Sequence, residues 1–252
     1  MDVHQQAIVA NDVYKHYAKG VEGAGLNGFN LEVSAGTVCG LLGPNGAGKT
    51  TAMRVLTTLL HLDSGSAHVA GYDVSTQGQH VRENIGLVGQ NAAVDEVLTG
   101  NQNLLLFGRL YHLDPAAAQR RSAELLERFD LLAAANTSVG KYSGGMRRKL
   151  EIVRSLLHRP RVLFLDEPTA GLDAPTRRTL WEHLRTVRRE SGTTIFLTTH
   201  YLEEAEQADR ICIIDHGRVV AEGTPARLKA DLSRESLVVD ALDRAALRDE
   251  LE

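Results

Sequence analysis

Apolar runs of strand length alternate along this chain with segments whose apolar positions recur at helical spacing. Runs of that length are typical of parallel strands covered on both faces, because neither side of such a strand meets water. The alternation predicts a mainly parallel sheet from residue 37 to 90 and again from 161 to about 230. Residues up to about 34 show short strand patterns interrupted by glycine, which predicts a small antiparallel layer. The clearest apolar runs are 37–42, 162–165 and 194–199.

The segment from about 91 to 158 has the pattern of helices rather than strands. Asp114 followed by Pro115 predicts a helix start, since aspartate caps free N–H groups and proline suits the first turn. Leu125 and Phe129 then continue the helical spacing. We therefore predict a helical subdomain inserted into the sheet domain.

Residues 103–111 within that segment are apolar on nearly every face. Two interpretations are open. One is a fully buried helix, which is the usual meaning of such a pattern. The other is that part of the helix lines an apolar groove, which receives a short helix of another protein and transmits movement.

The pattern G-x-x-x-x-G-K-[ST] follows the first parallel strand and precedes a predicted helix. In that context it binds phosphate, because glycines let successive N–H groups face an anion and the helix N-terminus attracts it. Lys49 is expected to reach the β- and γ-phosphates of a nucleoside triphosphate, and the Thr50 hydroxyl to bind Mg²⁺. The predicted nucleotide-binding residues here are Gly43, Pro44, Asn45, Gly46, Ala47, Gly48, Lys49, Thr50 and Thr51.

Two acids, Asp166 and Glu167, end the second apolar run. Functional groups of parallel sheets gather at the carboxyl ends of the strands, so both acids are expected beside the phosphate loop. Asp166 is then placed to hold Mg²⁺, and Glu167 to polarise the water that attacks the γ-phosphate.

The sequence YSGGM places Ser143–Gly145 between these two motifs. A hydroxyl and glycine N–H groups at a helix start favour an anion. In this order of motifs, the segment resembles the LSGGQ signature of nucleotide-binding subunits of ATP-binding-cassette (ABC) transporters, with Tyr142 and Met146 as departures. The basic run Arg147–Lys149 is most simply the solvated face of that helix. One buried stripe is predicted from Met146, Leu150, Val153 and Leu157.

The resemblance implies roles for four further residues. Gln90 matches the glutamine loop that touches Mg²⁺ or the attacking water, and Asp173 lies in the loop that crosses between subunits. His200 matches the switch histidine. Tyr17 matches the aromatic residue that stacks on adenine, although Tyr14 is a nearby alternative.

The resemblance covers residues 17–200 and also implies a fold and an assembly. The fold is α/β, with a P-loop (RecA-like) mainly parallel sheet core, an N-terminal antiparallel β subdomain and an inserted helical subdomain carrying the signature. The assembly is a head-to-tail dimer with ATP and Mg²⁺ between two copies, working with a membrane permease on a separate chain. We expect an ATPase domain over 1–230 and a C-terminal extension over 231–252, with a possible strand at 236–239.

Composition agrees with one large domain, since 43% of the 252 residues are hydrophobic. The net charge of −4 with mixed signs gives no basic field of the kind that attracts nucleic acid, so no nucleic-acid partner is expected. Cys39 and Cys212 stand in apolar runs, which predicts buried thiols. No secretory signal is recognisable, and no apolar stretch approaches the roughly 18 residues that span a bilayer. We therefore expect a peripheral protein on the cytoplasmic face of the cell membrane.

Three phrases resemble drug-export ATPases of the daunorubicin-resistance type, namely 103–113, 142–152 and 194–206. This implies export of a hydrophobic, drug-like or lipid-linked compound. The alternatives are a polysaccharide or lipid exporter, an importer, or a regulatory cassette without transport. A translation-associated cassette would need a second phosphate loop, and a chromosome-maintenance ATPase a long heptad insertion.

Overall fold

The structure, a computed structural model, describes residues 6–17, 25–90 and 93–233. Within these residues it has two β-sheets, eight α-helices and two short 3-10 helices. The strand predicted at 236–239 and most of the predicted C-terminal extension lie outside these residues. None of the helices within the described ranges has the length and apolar character needed to cross a bilayer.

The smaller sheet is antiparallel, as predicted, with strand order β2-β1-β4-β5. Only two of its strands come from the first 34 residues, because the chain returns to add a hairpin after the first helix. The strands are β1 (Gln6–Lys15), β2 (Leu26–Ser34), β4 (Ser64–Val69) and β5 (Tyr72–Asp73).

The larger sheet has six strands in the order β10-β9-β3-β8-β7-β6. Five are parallel, and β10 pairs antiparallel with β9 at one edge. His216 and Gly217 both have positive φ, which is the two-residue turn that suits a hairpin. The strands are β3 (Val38–Leu42), β6 (Ile85–Val88), β7 (Val162–Asp166), β8 (Thr194–Thr199), β9 (Arg210–Asp215) and β10 (Arg218–Gly223).

Side-chain caps define several helix starts. Asp114 accepts a hydrogen bond from the Ala117 N–H at 2.9 Å and Pro115 is the first helical residue, as predicted. Thr99 and Gln102 form a capping box at the start of α3, which the hydrophobic pattern did not reveal. The helices are α1 (Lys49–Leu56), α2 (Gly78–Asn84), α3 (Gly100–Leu110), α4 (Pro115–Arg128), α5 (Gly144–Ser155), α6 (Ala174–Ser191), α7 (Leu202–Ala205) and α8 (Pro225–Ser233).

The parallel sheet separates two hydrophobic clusters. Val162 and Phe164 on β7 face a cluster shared with the antiparallel sheet and α1. Leu163 and Leu165 face the other cluster, shared with α3–α6. This period-two alternation, with both faces apolar, explains why the strands read as continuous apolar runs. Cys39 and Cys212 are free, buried thiols within the first cluster, as predicted.

Helix α3 is not fully buried, so that interpretation of residues 103–111 was wrong. Leu104 is buried, but Leu106 is 41% exposed and Leu110 60% exposed. Asn103 also lies on the buried side of α3, and its side-chain amide is hydrogen-bonded to the main chain of Asp95. Because this polar residue occupies part of the buried side, some of the leucines lie on the exposed side. An apolar strip on α3 therefore faces solvent.

Candidate active site

The phosphate loop (Gly43–Thr50) joins β3 to α1, as the sequence predicted. Gly48 adopts φ of 107° and caps α1, and a Cβ there would lie 2.8 Å from the Gly25 carbonyl oxygen. A side chain at this position would thus meet both backbone strain and a close neighbour. The first N–H groups of α1 consequently open directly onto the loop.

Lys49 is almost fully buried at the base of this loop. Its ammonium group donates to the carbonyl oxygens of Gly43 at 2.7 Å and Pro44 at 3.0 Å. Burial lowers the pKa of Lys49, while the carboxylates of Glu167 and Asp166 act in the opposite direction. An anion placed in the loop would favour the charged ammonium in the same way, since an opposite charge nearby stabilises it.

Asp166 ends β7 and is buried. Its Oδ1 accepts a hydrogen bond from the Thr198 hydroxyl at 2.5 Å. Burial raises the pKa of Asp166, and the Thr198 bond opposes that shift. The contact follows from the parallel register, in which Asp166 lies opposite Thr198.

Glu167 follows with a φ of 46°, in the left-handed region that costs a non-glycine residue about 1–2 kcal/mol. Its N–H lies 3.2 Å from the Thr198 carbonyl oxygen and 3.1 Å from the Thr198 hydroxyl oxygen, which hold this turn. The Nδ1 atom of His200 lies 3.2 Å from Glu167 Oε1. Thr198, which sequence reasoning missed, therefore orients both acids.

Of these residues, Lys49 and Glu167 line one cavity of about 200 Å³. Gln90 and Glu167 line it together with the phosphate loop, while Asp166 lies one residue before Glu167. The oxygens of Thr50, Gln90 and Asp166 are the hard ligands that Mg²⁺ prefers. Glycine N–H groups, a buried lysine and oxygen ligands suit a magnesium nucleotide. The described lining of the cavity is Asn45, Gly46, Gly48, Lys49, Thr50, Thr51, Gln90 and Glu167.

Tyr17 is the tyrosine that reaches this site. Its hydroxyl lies 3.2 Å from the Thr51 hydroxyl, and the side chain is 39% exposed. Tyr14 lies on β1, and its ring is stacked with that of His16. The geometry therefore favours Tyr17 over Tyr14 as the residue beside the nucleotide, and stacking on adenine stays a prediction.

The signature segment (Ser143–Gly145) borders a different cavity from the phosphate loop. Ser143 caps α5, and its hydroxyl accepts from the Met146 N–H at 3.2 Å. Gly144 borders a second cavity of about 440 Å³, together with Gln90 and Glu167. The described lining of the phosphate-loop cavity includes none of the three signature residues. The predicted helix start is present, but it does not meet the phosphate loop of its own chain.

The flanks of the signature segment depart from the family pattern without disturbing the helix start. Tyr142 is buried, and its hydroxyl donates to the Ala134 carbonyl oxygen at 2.8 Å. Met146 is half-buried against the second hydrophobic cluster. The predicted stripe on α5 is thus formed, with Leu150, Val153 and Leu157 buried.

Asp173 caps α6 by accepting from the Thr176 N–H at 2.8 Å. The hydrogen bonds from Thr176 lower the pKa of this exposed carboxylate. The aspartate thus has a local structural role in this chain. Its contribution to nucleotide binding across subunits stays a prediction.

The basic run on α5 was predicted as a solvated face. This was wrong for Lys149, whose side chain is 12% exposed, and it was also wrong for Arg148. Its side chain is only 12% exposed, while Arg147 beside it is 37% exposed. The Arg148 guanidinium donates to three main-chain carbonyl oxygens and to Glu151. No signal in the local sequence separates the two arginines, because the acceptors come from distant segments.

A family model described as ABC transporter matches residues 26–170, more than half of the chain. The chain belongs to the ABC transporter family. It is 53% identical to the daunorubicin resistance ATP-binding protein DrrA2 of Streptomyces coeruleorubidus, across 96% of this chain and 74% of that protein. It is 43% identical to the Nod factor export ATP-binding protein I of Burkholderia orbicola, across 90% of this chain and 75% of that protein.

Among solved structures, a dimeric ATP-binding cassette in a post-hydrolysis state, bound to ADP and Pi, matches with a TM-score of 0.77. The two are 25% identical over 86% of this chain and 98% of that one. The predicted ABC fold is therefore confirmed. This cassette is an ATP-binding and ATP-hydrolysing subunit homologous to drug-resistance exporter ATPases.

Proposed function

We propose that this cassette hydrolyses Mg²⁺-ATP with the residues that surround the phosphate loop. Lys49 binds the β- and γ-phosphates, and Glu167 activates the attacking water. Thr50, Gln90 and Asp166 would hold the metal, whose charge would stabilise negative charge on the phosphate oxygens. His200 contacts both Glu167 and the γ-phosphate. The observation that carries this assignment is the Thr198 hydroxyl, which aligns Asp166 and Glu167 beside the loop.

We further propose that the ATP site is completed by a second copy. The signature segment presents a capped helix start away from its own phosphate loop, and a helix start favours an anion. Two such sites facing each other can clamp one γ-phosphate from opposite sides. The solved dimeric cassette with ADP and Pi supports this arrangement.

Ser143→Arg tests the dimer, because a long cation at the helix start obstructs the facing nucleotide. In a Glu167→Gln background, ATP should shift the parent to twice the monomer mass in light scattering, and the Ser143→Arg variant should stay monomeric. Asn136→Arg is the control, because it adds the same side chain at an exposed position of the helical subdomain. This variant should dimerise normally. Equal dimerisation of the Ser143→Arg variant would remove the proposal.

We propose that the partner is a membrane permease on a separate chain, with this cassette on the cytoplasmic face. Leu106 and Leu110 stand four residues apart on α3, so they share one exposed face. Such a strip suits an amphipathic helix of the permease. The similarity to DrrA2 favours a hydrophobic, drug-like or lipid-linked cargo. The Nod factor relative keeps export of a lipid-linked saccharide as the alternative.

Copurification with a candidate permease that is expressed together with this cassette tests the docking face. Leu106→Glu together with Leu110→Glu should reduce the recovered permease while ATP binding is retained. Leu132→Glu is the matched control, since Leu132 is exposed but lies outside α3. Full recovery with the double variant would place the permease contact elsewhere. Export assays in cells with a daunorubicin-type drug or a lipid-linked saccharide then separate the two cargo classes.

A further inference from the structure

Strand β6 is the edge strand of the parallel sheet, and within the described chain its outer side is met by side chains of α5 and the residues after it. Alternate residues of a parallel strand present their carbonyl groups to the same side. In this protein the carbonyl oxygens of three alternate residues, Ile85, Leu87 and Gly89, each accept a hydrogen bond from a side chain. The pairs are His158 Nε2 with Ile85 at 2.9 Å, Arg154 Nη2 with Leu87 at 3.0 Å, and Arg148 Nη1 with Gly89 at 2.7 Å.

Arg148 differs from the other two donors because it also bonds to a further segment, the turn that contains Glu167. Its Nη2 donates to the Asp166 carbonyl oxygen at 2.7 Å, and its Nε donates to the Pro168 carbonyl oxygen at 2.9 Å. These carbonyls flank Glu167, and Gly89 directly precedes Gln90. One rigid guanidinium thus joins the signature helix to the glutamine loop and to the acidic turn.

The Arg148 guanidinium is held by a buried ion pair as well as by hydrogen bonds to the main chain. Glu151 is almost fully buried and its Oε2 lies 2.9 Å from Arg148 Nη1, which balances the arginine charge inside the protein. Charged donors form shorter and stronger bonds than neutral ones. A lysine has the charge but presents a single nitrogen, so it does not reproduce a planar fork that reaches separate acceptors.

We propose that Arg148 is a positioning residue for ATP hydrolysis, which holds Gln90 and the Asp166–Glu167 pair in register with the signature helix of the same chain. Movement of the signature segment against a nucleotide is then transmitted to the acids and the glutamine loop. This rests on the proposed function, because it assumes that Gln90, Asp166 and Glu167 act on Mg²⁺-ATP.

Arg148→Lys tests the proposal in the 252-residue chain, with Lys149→Ala as the control on the same helix. Lys149 contacts Asp130 and none of the three carbonyls. In the Arg148→Lys variant, kcat should fall about tenfold, on the scale of a lost charge-assisted bond. The Mg²⁺ concentration for half-maximal activity should rise, while ADP affinity in the absence of Mg²⁺ stays within about twofold of wild type. Lys149→Ala should match wild type in all three.

Hydrogen–deuterium exchange supplies a readout that does not depend on turnover. Exchange in the peptide covering residues 85–90 should accelerate in the Arg148→Lys variant and not in the Lys149→Ala variant. If Arg148→Lys does not fold, Arg148→Met with Glu151→Met removes both buried charges at similar volume and should show the same kinetic pattern. Unchanged kcat, Mg²⁺ dependence and exchange in a folded variant would overturn the proposal. An inactive wild-type protein would instead count against the proposed function.

Discussion

In the proposed mechanism the acidic turn and the signature segment act on the same phosphate group, yet they are held in opposite ways. Asp166 and Glu167 are fixed by a neighbouring strand through Thr198, and they face a lysine of the same chain. The Ser143 hydroxyl caps its own helix by accepting the N–H of Met146 in the first turn, and it accepts no other hydrogen bond among the described residues. The first region is assembled by folding, whereas the second is a helix start that, in the proposed dimer, faces the second copy.

This difference separates the two tasks of the site. Binding of nucleotide and the alignment of the acids depend on groups that one chain brings together. In the proposed dimer, closure depends on a surface that a single chain leaves incomplete. Variants in the first region should therefore change affinity or chemistry in the monomer, and variants in the second should change assembly.

The largest effect is expected for Glu167→Gln, which keeps the shape of the acidic turn and removes its base. A positioned general base contributes roughly 10²- to 10⁴-fold, so kcat should fall by at least about 100-fold while ATP binding is retained. ATP-bound dimers should then accumulate, as measured by light scattering. Glu206→Gln, at an exposed acid paired with Lys229, should leave turnover unchanged. Equal turnover in the Glu167→Gln variant would exclude Glu167 as the base.

A titration with ADP distinguishes the roles of Lys49 and His200. Lys49→Ala removes a buried ammonium from the phosphates, and a lost charge-assisted contact corresponds to about ten- to a hundredfold in affinity. His200→Ala removes a partner of Glu167 and should barely change ADP affinity. Steady-state ATPase assays should find both variants severely impaired. If both lose ADP equally, His200 has a structural role instead.

The sequence alone predicted the parallel strands and the acids at their carboxyl ends. It did not predict the side-chain contacts that position those acids. The runs around β3, β7 and β8 are apolar on both faces, so their pattern predicts a parallel sheet with functional groups at its carboxyl edge. Thr198 was missed because a threonine in a strand is expected for its β-propensity alone. Its hydroxyl became significant only once the register with Asp166 was known.

Arg148 and α3 were misjudged for a related reason. A basic run on a helix is usually solvated, and the acceptors of Arg148 are main-chain carbonyls, which carry no residue-specific signal. In α3, hydropathy shows that leucines are present but not which neighbour covers them. Burial of a helix is decided by the elements packed against it, and the side of α3 that carries Leu110 is exposed to solvent.

Thr198→Val tests whether the acidic turn is as preorganised as the geometry indicates. The substitution keeps shape but removes the hydroxyl that bonds Asp166 and the Glu167 N–H, which should cost about 1–3 kcal/mol of folding stability. Losing that bond raises the pKa of Asp166 further, so the acid limb of the pH–rate profile should move to higher pH. Thr193→Val, at a buried hydroxyl that donates to Pro160 at the far end of β8, should affect stability only.

The smallest effect is expected at Glu204, a carboxyl that is 1% exposed on α7, just after His200. Burial raises the pKa of Glu204, and the nearby charge of Glu167 adds to the shift, while Thr199, Arg177 and His200 oppose it. The folded-state pKa of Glu204 therefore lies above the unfolded value of about 4.3. The contribution of this carboxyl to the free energy of unfolding is fully present below about pH 4.3, and it is lost as the pH rises through the folded-state pKa.

Glu204→Gln removes this titration, so the variant should gain stability relative to wild type as the pH rises from 4 to 8. Urea melts across that range measure the gap, which should be nearly closed at the acid end. Glu203→Gln, at the exposed neighbour, should show no such pH-dependent gain. A gap of the same size at every pH would mean that burial of Glu204 does not control its charge, and that the turn after His200 tolerates an ionised carboxylate.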